Sequence, residues 1–186
     1  AAAAGYGVFN VLFPVMASRA WSQGGSHVYG LIMSFLGGGI AIGTVVGGPL
    51  FRSRTRELSK MYGLAIVLSG AGLVAFGGVG VLSLALGAIV ITGIGDGLQG
   101  IAEVTFLQTR VEQRYQGRVF AFHEGALSAS VLLGMVAAGF LAERYPIAGV
   151  AVSAGGLIGL VGLFHTIYSG KMASRCEKHS LREQVQ

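Results

Sequence analysis

The chain has 186 residues, of which 53% are hydrophobic and only 11% are charged, and its mean hydropathy is +0.69. Soluble globular domains carry about 25% charged residues, so this composition indicates an integral membrane protein. The net charge of +5 does not indicate nucleic-acid binding, because the basic residues stand at the ends of apolar runs and no basic face interleaved with aromatic residues lies between them. A single cysteine, Cys176, excludes a disulfide framework.

Continuous apolar runs predict six transmembrane helices, since a helix needs roughly 20 apolar residues to cross the hydrocarbon core of a bilayer. The runs are continuous rather than alternating, which favours helices. The predicted fold is therefore an all-α membrane domain. Its spans lie at about residues 1 to 18, 28 to 51, 61 to 77, 79 to 101, 119 to 142 and 147 to 168, and a basic cytoplasmic tail follows at 169 to 186.

The first two spans carry one isolated polar residue and a row of glycines. Asn10 stands alone in the first span, and we expect it either to hydrogen-bond a neighbouring helix or to face a central cavity. Gly39, Gly43 and Gly47 recur every fourth residue in the second span, which predicts a face that a neighbouring backbone approaches closely. Pro49 is then expected to end or kink that helix, because proline removes a backbone donor.

The third and fourth spans are parted by the Gly77-Gly78 pair, which predicts a tight hairpin, and the fourth contains Asp96. A charged side chain near mid-bilayer costs about 2.5 to 3.5 kcal/mol on insertion scales, so such residues usually mark an ion or substrate path. Gln99 and Glu103 follow Asp96 on the same helical face. A buried carboxylate that binds and releases a proton suits a proton-coupled transporter, whereas the alternative is a hydrogen bond that only joins two helices.

The stretch from Gly95 to Gly100 formally satisfies the G-x-G-x-x-G dinucleotide pattern. That fingerprint needs a preceding strand in a soluble βαβ unit, whereas this stretch follows an apolar membrane run. We therefore predict no cofactor. No Ser/His/Asp or Cys/His set converges at a recognisable spacing, so the sequence predicts no catalytic residues, no enzyme and no metal site.

The last two spans carry three isolated polar side chains. His123 and Glu124 lie near the start of the fifth span, and adjacent helical residues diverge by about 100°, so they are not expected to form one site with each other. Glu124 is expected to pair with a basic residue of the 110 to 118 loop and to act as a gate or clamp. We expect His165, in the sixth span, to hydrogen-bond a neighbouring helix.

Eleven of the thirteen Lys and Arg residues fall in three segments, at 52 to 60, at 110 to 118 and in the tail after Gly170. Positive residues next to apolar spans are retained on the cytoplasmic side of a membrane. Because the number of predicted spans is even, both ends of the chain are expected in the cytoplasm, with the protein in the inner (plasma) membrane.

Three segments next to the spans carry familiar motifs. The run from Gly48 to Arg56 resembles the basic short loop of major facilitator superfamily transporters. The run from Gln108 to Phe120 is similar to the "Q-x-x-V … RGRVF" junction of that superfamily's macrolide- and siderophore-exporter-like branch, and Ser26 to Ser34 is similar to its "YGLLMS" motif. Two departures stand out: Arg52 lies near the usual place of an Asp, and Gln116 replaces the first Arg of RGRVF.

The resemblance covers essentially the whole chain and implies the C-terminal six-helix half of a twelve-helix transporter, with substrate bound between the halves. It implies proton-coupled efflux of drugs or small amphiphilic molecules by alternating access. The implied partners are the lipid bilayer, the missing N-terminal half, the substrate and protons. The residues expected on the substrate and proton pathway are Asp96, Gln99, Glu103 and Asn10. The residues expected at the cytoplasmic gate are Arg52, Arg54, Arg56, Arg118 and Glu124.

The alternative is a non-transporting membrane scaffold or assembly subunit, in which the glycine faces bind partner helices and the polar residues merely pair. The chain begins with Ala1-Ala2-Ala3-Ala4 and no start residue, so we expect a fragment of a longer protein rather than a natural six-helix unit.

Overall fold

A computed structural model describes residues 2–20, 25–53 and 58–183, and the side chains within 5–18, 26–51 and 58–168. These residues form six α-helices, and no strand occurs among them. The helices are α1 (Ala2–Ala20), α2 (Gly25–Ser53), α3 (Leu58–Gly78), α4 (Leu82–Arg110), α5 (Gln113–Arg144) and α6 (Ile147–Glu183). The predicted all-α fold of six helices is confirmed.

Five stretches of helix are long and apolar enough to cross a membrane, among the residues described. They are Ser26–Phe51, Leu58–Gly78, Leu82–Arg110, Gln113–Arg144 and Ile147–Tyr168, and α1 adds the shorter apolar stretch Gly5–Ser18. Large apolar side chains on these helices are exposed, including Val45 at 74%, Phe122 at 80% and Phe164 at 73%. Contact of such apolar faces with water is unfavourable, so in a membrane protein they are covered by lipid or by further protein.

Two features of the connections differ from the predictions. Gly77 and Gly78 belong to α3, and residues 79–81 form the connection to α4. Gly77 is needed inside the helix, because a Cβ placed on it would lie 2.8 Å from Cβ of Ala151 on α6. Pro49 lies within α2, which continues to Ser53, so it does not end the helix, and the alternative of a kink stays a prediction.

The helices pack around α1, α3 and α4. The most extensive contacts join α3 to α6, α2 to α4, α3 to α4 and α1 to α5, whereas α5 touches α4 and α6 only sparsely. The centre of the apolar cluster includes Phe9 and Phe13 of α1 and Phe76 of α3. The Phe13 and Phe76 rings meet edge to face, with centroids 5.3 Å apart. This ring contact joins α1 to α3, whereas the main backbone contacts of α1 are with α5, α6 and α2.

The glycine row of α2 lies against α4, so the predicted close approach of a neighbouring backbone is confirmed at Gly39 and Gly43. A Cβ placed on Gly39 would lie 2.5 Å from the Val90 carbonyl oxygen and 3.0 Å from the Gly93 Cα. The two backbones therefore approach to a distance that excludes larger residues. In lipid no hydrophobic driving force joins two helices, so close van der Waals packing of small residues supplies much of the attraction.

We expect Gly43→Val to destabilise the protein, because a Cβ at Gly43 would lie 3.0 Å from the Cα of Ile94. Overpacking of this kind costs about 1 to 3 kcal/mol. The matched control is Gly38→Val on the same helix, where a Cβ meets nothing within 4 Å. The measurement is thermal unfolding of the purified protein in detergent. Equal melting temperatures for the two variants would contradict this account of the α2–α4 contact.

Candidate functional site

A polar cluster joins three helices within the apolar bundle. Ser69 Oγ, on α3, donates a hydrogen bond to Asp96 Oδ1, on α4, at 2.5 Å. The Tyr6 hydroxyl, on α1, lies 2.9 Å from the same Asp96 oxygen, 3.0 Å from Ser69 Oγ and 3.2 Å from Gln99 Oε1. We call these four residues the Asp96 cluster.

Gly95 determines how closely the α3 and α4 residues of the Asp96 cluster approach each other. A Cβ on Gly95 would lie 2.7 Å from the Ser69 backbone nitrogen, so any larger residue would push the helices apart. Ser69 is fully buried, and its hydroxyl reaches Asp96 because the backbones are this close. Gly95 therefore lets α3 pack closely against α4 and also brings the Ser69 hydroxyl within hydrogen-bonding distance of the Asp96 carboxylate.

The number of hydroxyl hydrogens in the cluster limits which hydrogen bonds can form at the same time. Each hydroxyl carries one hydrogen and can donate only one hydrogen bond at a time, whereas an ionised carboxylate only accepts. With Asp96 ionised, Ser69 and Tyr6 both donate to it. With Asp96 protonated, the carboxyl needs fewer donors, and Tyr6 can donate to Gln99 Oε1 instead. The cluster can therefore satisfy Asp96 in both protonation states.

The structure brings together two of the four predicted pathway residues, Asp96 and Gln99. Asn10 lies outside their cluster: its side chain is exposed, and its amide donates to the Tyr6 carbonyl on its own helix at 3.1 Å. A short polar side chain readily reaches the carbonyl four residues earlier. The expectation that Asn10 hydrogen-bonds a neighbouring helix is therefore wrong.

Glu103, the fourth pathway residue, forms an ion pair with His123 of α5. The sequence did not indicate this pair, because it only showed that His123 and Glu124 diverge on one helix. The pair lies on the wall of a cavity of about 280 Å³ between α3, α4, α5 and α6. We call this space the Glu103 cavity. It is lined by Leu58, Ser59, Tyr62, Ala102, Glu103, Phe106, Leu107, His123 and His165.

The sixth helix contributes His165 to the Glu103 cavity. Its Nε2 lies 3.2 Å from Ser59 Oγ, and its ring meets the Tyr62 ring edge to face at 5.4 Å between centroids. Both partners belong to α3. The predicted contact of His165 with a neighbouring helix is therefore confirmed.

The predicted gate residues are less well placed. The side chains of Arg52, Arg54 and Arg56 lie outside the described residues. Arg118 is exposed near the start of α5, and Glu124 is exposed further along it.

Glu124 forms no ion pair with the basic residues at 110, 114 or 118, all of which the structure describes. Arg114 pairs instead with Glu112, at 3.2 Å. Six residues of helix separate Glu124 from Arg118 by about 9 Å along the axis, beyond the reach of neighbouring turns. The expected pairing of Glu124 is therefore wrong.

Sequence reasoning missed two members of the Asp96 cluster. Ser69 had a weak signal, as a polar residue followed by Gly70 inside an apolar run. Tyr6 had a similar signal, because Gly5 and Gly7 flank it in the sequence. In the structure, a Cβ on Gly5 would lie 2.5 Å from the Ile158 side chain of α6. No group of three or more His, Cys, Asp or Glu residues able to hold a metal occurs in the described part of the chain.

Comparison with known proteins gives the family. The family model of the Major Facilitator Superfamily matches residues 1–180. Over 167 residues the chain is 28% identical to the uncharacterized MFS-type transporter YfiS of Bacillus subtilis (strain 168). That alignment covers 86% of this chain but 38% of the relative, and no solved structure matches the chain significantly. The chain belongs to the Major Facilitator Superfamily, whose members are membrane transporters rather than enzymes.

Proposed function

We propose that the chain is the C-terminal six-helix half of a secondary active transporter that exports drugs or small amphiphilic molecules in exchange for protons. The observation that carries this proposal is the Asp96 cluster. An ionisable residue within a transmembrane helix is expensive, and it typically marks a proton or substrate path. Two supports come from elsewhere: the chain belongs to a family of transporters, and it spans 38% of the length of its relative.

Proton exchange at Asp96 changes how α1 is held to α4. In the ionised state Tyr6 and Ser69 both donate to the carboxylate, which ties α1 and α3 to α4. Uptake of a proton by Asp96 releases Tyr6, which then donates to Gln99. Both acceptors lie on α4, so the change moves the hydrogen bond of α1 by about one turn along α4. Alternating access needs a two-state element of this kind.

Substrate class, direction and branch rest on the resemblance of the 108 to 120 junction to drug and siderophore exporters. The substrate then binds between this half and an N-terminal half. Arg52, Arg54, Arg56 and Arg118 are proposed to brace the cytoplasmic gate, and both ends of the chain are proposed to face the cytoplasm. The distribution of eleven of thirteen basic residues supports this orientation.

A membrane scaffold is the second candidate. It is favoured by the same cluster, because a carboxylate that already accepts bonds from two other helices can simply fasten them together. Close glycine contacts also join α3 to α6, where a Cβ on Gly70 would lie 2.5 Å from the Gly159 nitrogen. The two candidates differ in whether Asp96 exchanges protons.

Asp96→Asn tests the transporter directly. Asparagine keeps the shape and one acceptor but cannot carry the exchangeable proton, so we expect proton-driven export to fall by about 100-fold or more, as on loss of a general acid–base group. The measurement uses the full-length protein in proteoliposomes with an imposed pH gradient and a panel of fluorescent amphiphiles. Glu143→Gln, an exposed acid at the end of α5, is the control. Full proton coupling in Asp96→Asn would exclude Asp96 from the mechanism and favour the scaffold.

Tyr6→Phe tests the proposed exchange of hydrogen-bond partners. The ring and its packing remain, and loss of the hydroxyl costs about 1 kcal/mol of stability. We expect proton-coupled export to slow severalfold, because Asp96 loses the donor that links it to α1. Tyr29→Phe removes an exposed hydroxyl from α2 and is the matched control. If both variants export at the same rate, Tyr6 has no role in coupling.

The orientation can be tested with the native Cys176 of the tail. In full-length protein whose other cysteines have been replaced, a membrane-impermeant maleimide is expected to label Cys176 in inside-out vesicles only. Pro146→Cys, placed between α5 and α6, should show the opposite pattern in a Cys176→Ser background. Labelling of Cys176 from the outside would reverse the proposed topology.

A further inference from the structure

We propose that the Glu103 cavity binds a small organic cation, which takes the place of the His123 imidazole as the partner of Glu103. This inference rests on the proposed function in one respect, that the chain forms part of a transporter of amphiphiles. The site is distinct from the Asp96 cluster: it is lined by other residues, and it lies toward the end of the bundle where α3 begins and α4 ends.

The size and walls of the cavity suit a single-ring molecule. Its volume of about 280 Å³ is near the lower limit of ligand pockets, which begin at about 300 Å³. Apolar and aromatic side chains make up most of its wall: Leu58, Tyr62, Ala102, Phe106 and Leu107. Aromatic rings attract cations as well as apolar groups, and the Phe106 ring already holds the Arg110 guanidinium at 5.6 Å from its centroid.

Glu103 supplies the negative charge of the cavity. Its side chain is 20% exposed and that of His123 is 31% exposed, so the pair lies at the wall, where a ligand can reach it. A partly buried carboxylate needs a partner, and its present one is an imidazole, which is charged only when protonated. A permanently charged ammonium keeps its charge at every pH and can therefore compete with His123.

The effect of proton binding on the competition between the cation and His123 depends on the other titratable groups near Glu103. Tyr62 on α3 and both His123 and Glu124 on α5 interact electrostatically with Glu103, and His165 on α6 lines the same cavity. His165 is held by Ser59 and Tyr62, and Glu124 adds negative charge next to Glu103. His123 alone among them forms an ion pair with Glu103.

Protonation of His123 strengthens its attraction to Glu103 and adds positive charge to the cavity. A bound cation is disfavoured by both effects, so its affinity should fall as the pH falls. Where the membrane sides differ in pH, the cavity would load a cation on the less acidic side. Because His123 is charged only when it is protonated, a cation and a proton compete for this cavity.

The test measures binding of benzyltrimethylammonium to the purified full-length protein in detergent by isothermal titration calorimetry. This probe has one aromatic ring and a charge that does not titrate, so any pH dependence belongs to the protein. We expect binding to be severalfold weaker at about pH 5.5 than at about pH 8, because proton uptake by the His123–Glu103 pair competes with the probe. Neutral benzyl alcohol should not displace the probe.

Four variants test which residues are responsible for cation binding and for its pH dependence. Glu103→Gln should weaken binding about tenfold or more at about pH 8, because the ammonium loses its counter-charge. His123→Gln should bind at least as tightly as wild type at about pH 8, because no imidazole then competes for Glu103, whereas His165→Gln should keep the pH dependence of wild type. Glu103→Asp, which retains the charge, should bind measurably and guards against loss of the fold in Glu103→Gln. The exposed residues Glu143 and His27 provide the controls Glu143→Gln and His27→Gln.

Three results would overturn the proposal: unchanged binding in Glu103→Gln, pH-independent binding in wild type, or weaker binding in His123→Gln than in wild type at about pH 8. Asp96→Asn separates this proposal from the proposed function. It should bind the probe like wild type while losing proton-driven export. Retained export with normal binding would remove the coupling role of Asp96 and leave the cavity site intact.

Discussion

The arrangement depends on the close approach of α3 and α4 at Gly95. Because Gly95 has no side chain, Ser69 reaches Asp96 at 2.5 Å, and α1 completes the cluster through the Tyr6 hydroxyl at 2.9 Å. The outer helices attach to this centre through similar contacts, α2 to α4 at Gly39 and α6 to α3 at Gly70. Small residues thus supply the packing that the hydrophobic effect supplies in water, and they hold the buried acid within reach of its donors.

The two acids of α4 have partners of different chemistry. Seven residues, or about 10 Å of helix, separate Asp96 from Glu103. Hydroxyl groups surround Asp96, and they serve its ionised and its protonated forms without changing their own charge. An imidazole pairs with Glu103, and it changes its charge when it titrates. The first arrangement suits a proton carrier, and the second suits a site where a proton and another cation compete.

The sequence indicated most properties that belong to a single helix, although not the continuation of α2 beyond Pro49. Apolar runs predicted six helices, the spacing of Gly39 and Gly43 predicted a close-packed face, and the spacing of Asp96 and Gln99 placed both on one side of α4. Properties of helix pairs were not predictable in this way. Tyr6 and Ser69 approach Asp96 from other helices, and His123 meets Glu103 across the α4–α5 gap. Helical periodicity shows which residues share a face, but it does not show which helix lies opposite that face.

Proton release on substrate binding tests the central claim most directly. The purified full-length protein is mixed with an uncharged transported amphiphile, which does not compete with protons at the Glu103 cavity, in weakly buffered solution, and released protons are counted with a pH indicator. The account predicts that wild type releases protons as the substrate binds, and that Asp96→Asn releases none while still binding the substrate. Equal proton release from wild type and Asp96→Asn would contradict the claim that Asp96 carries the exchanged proton.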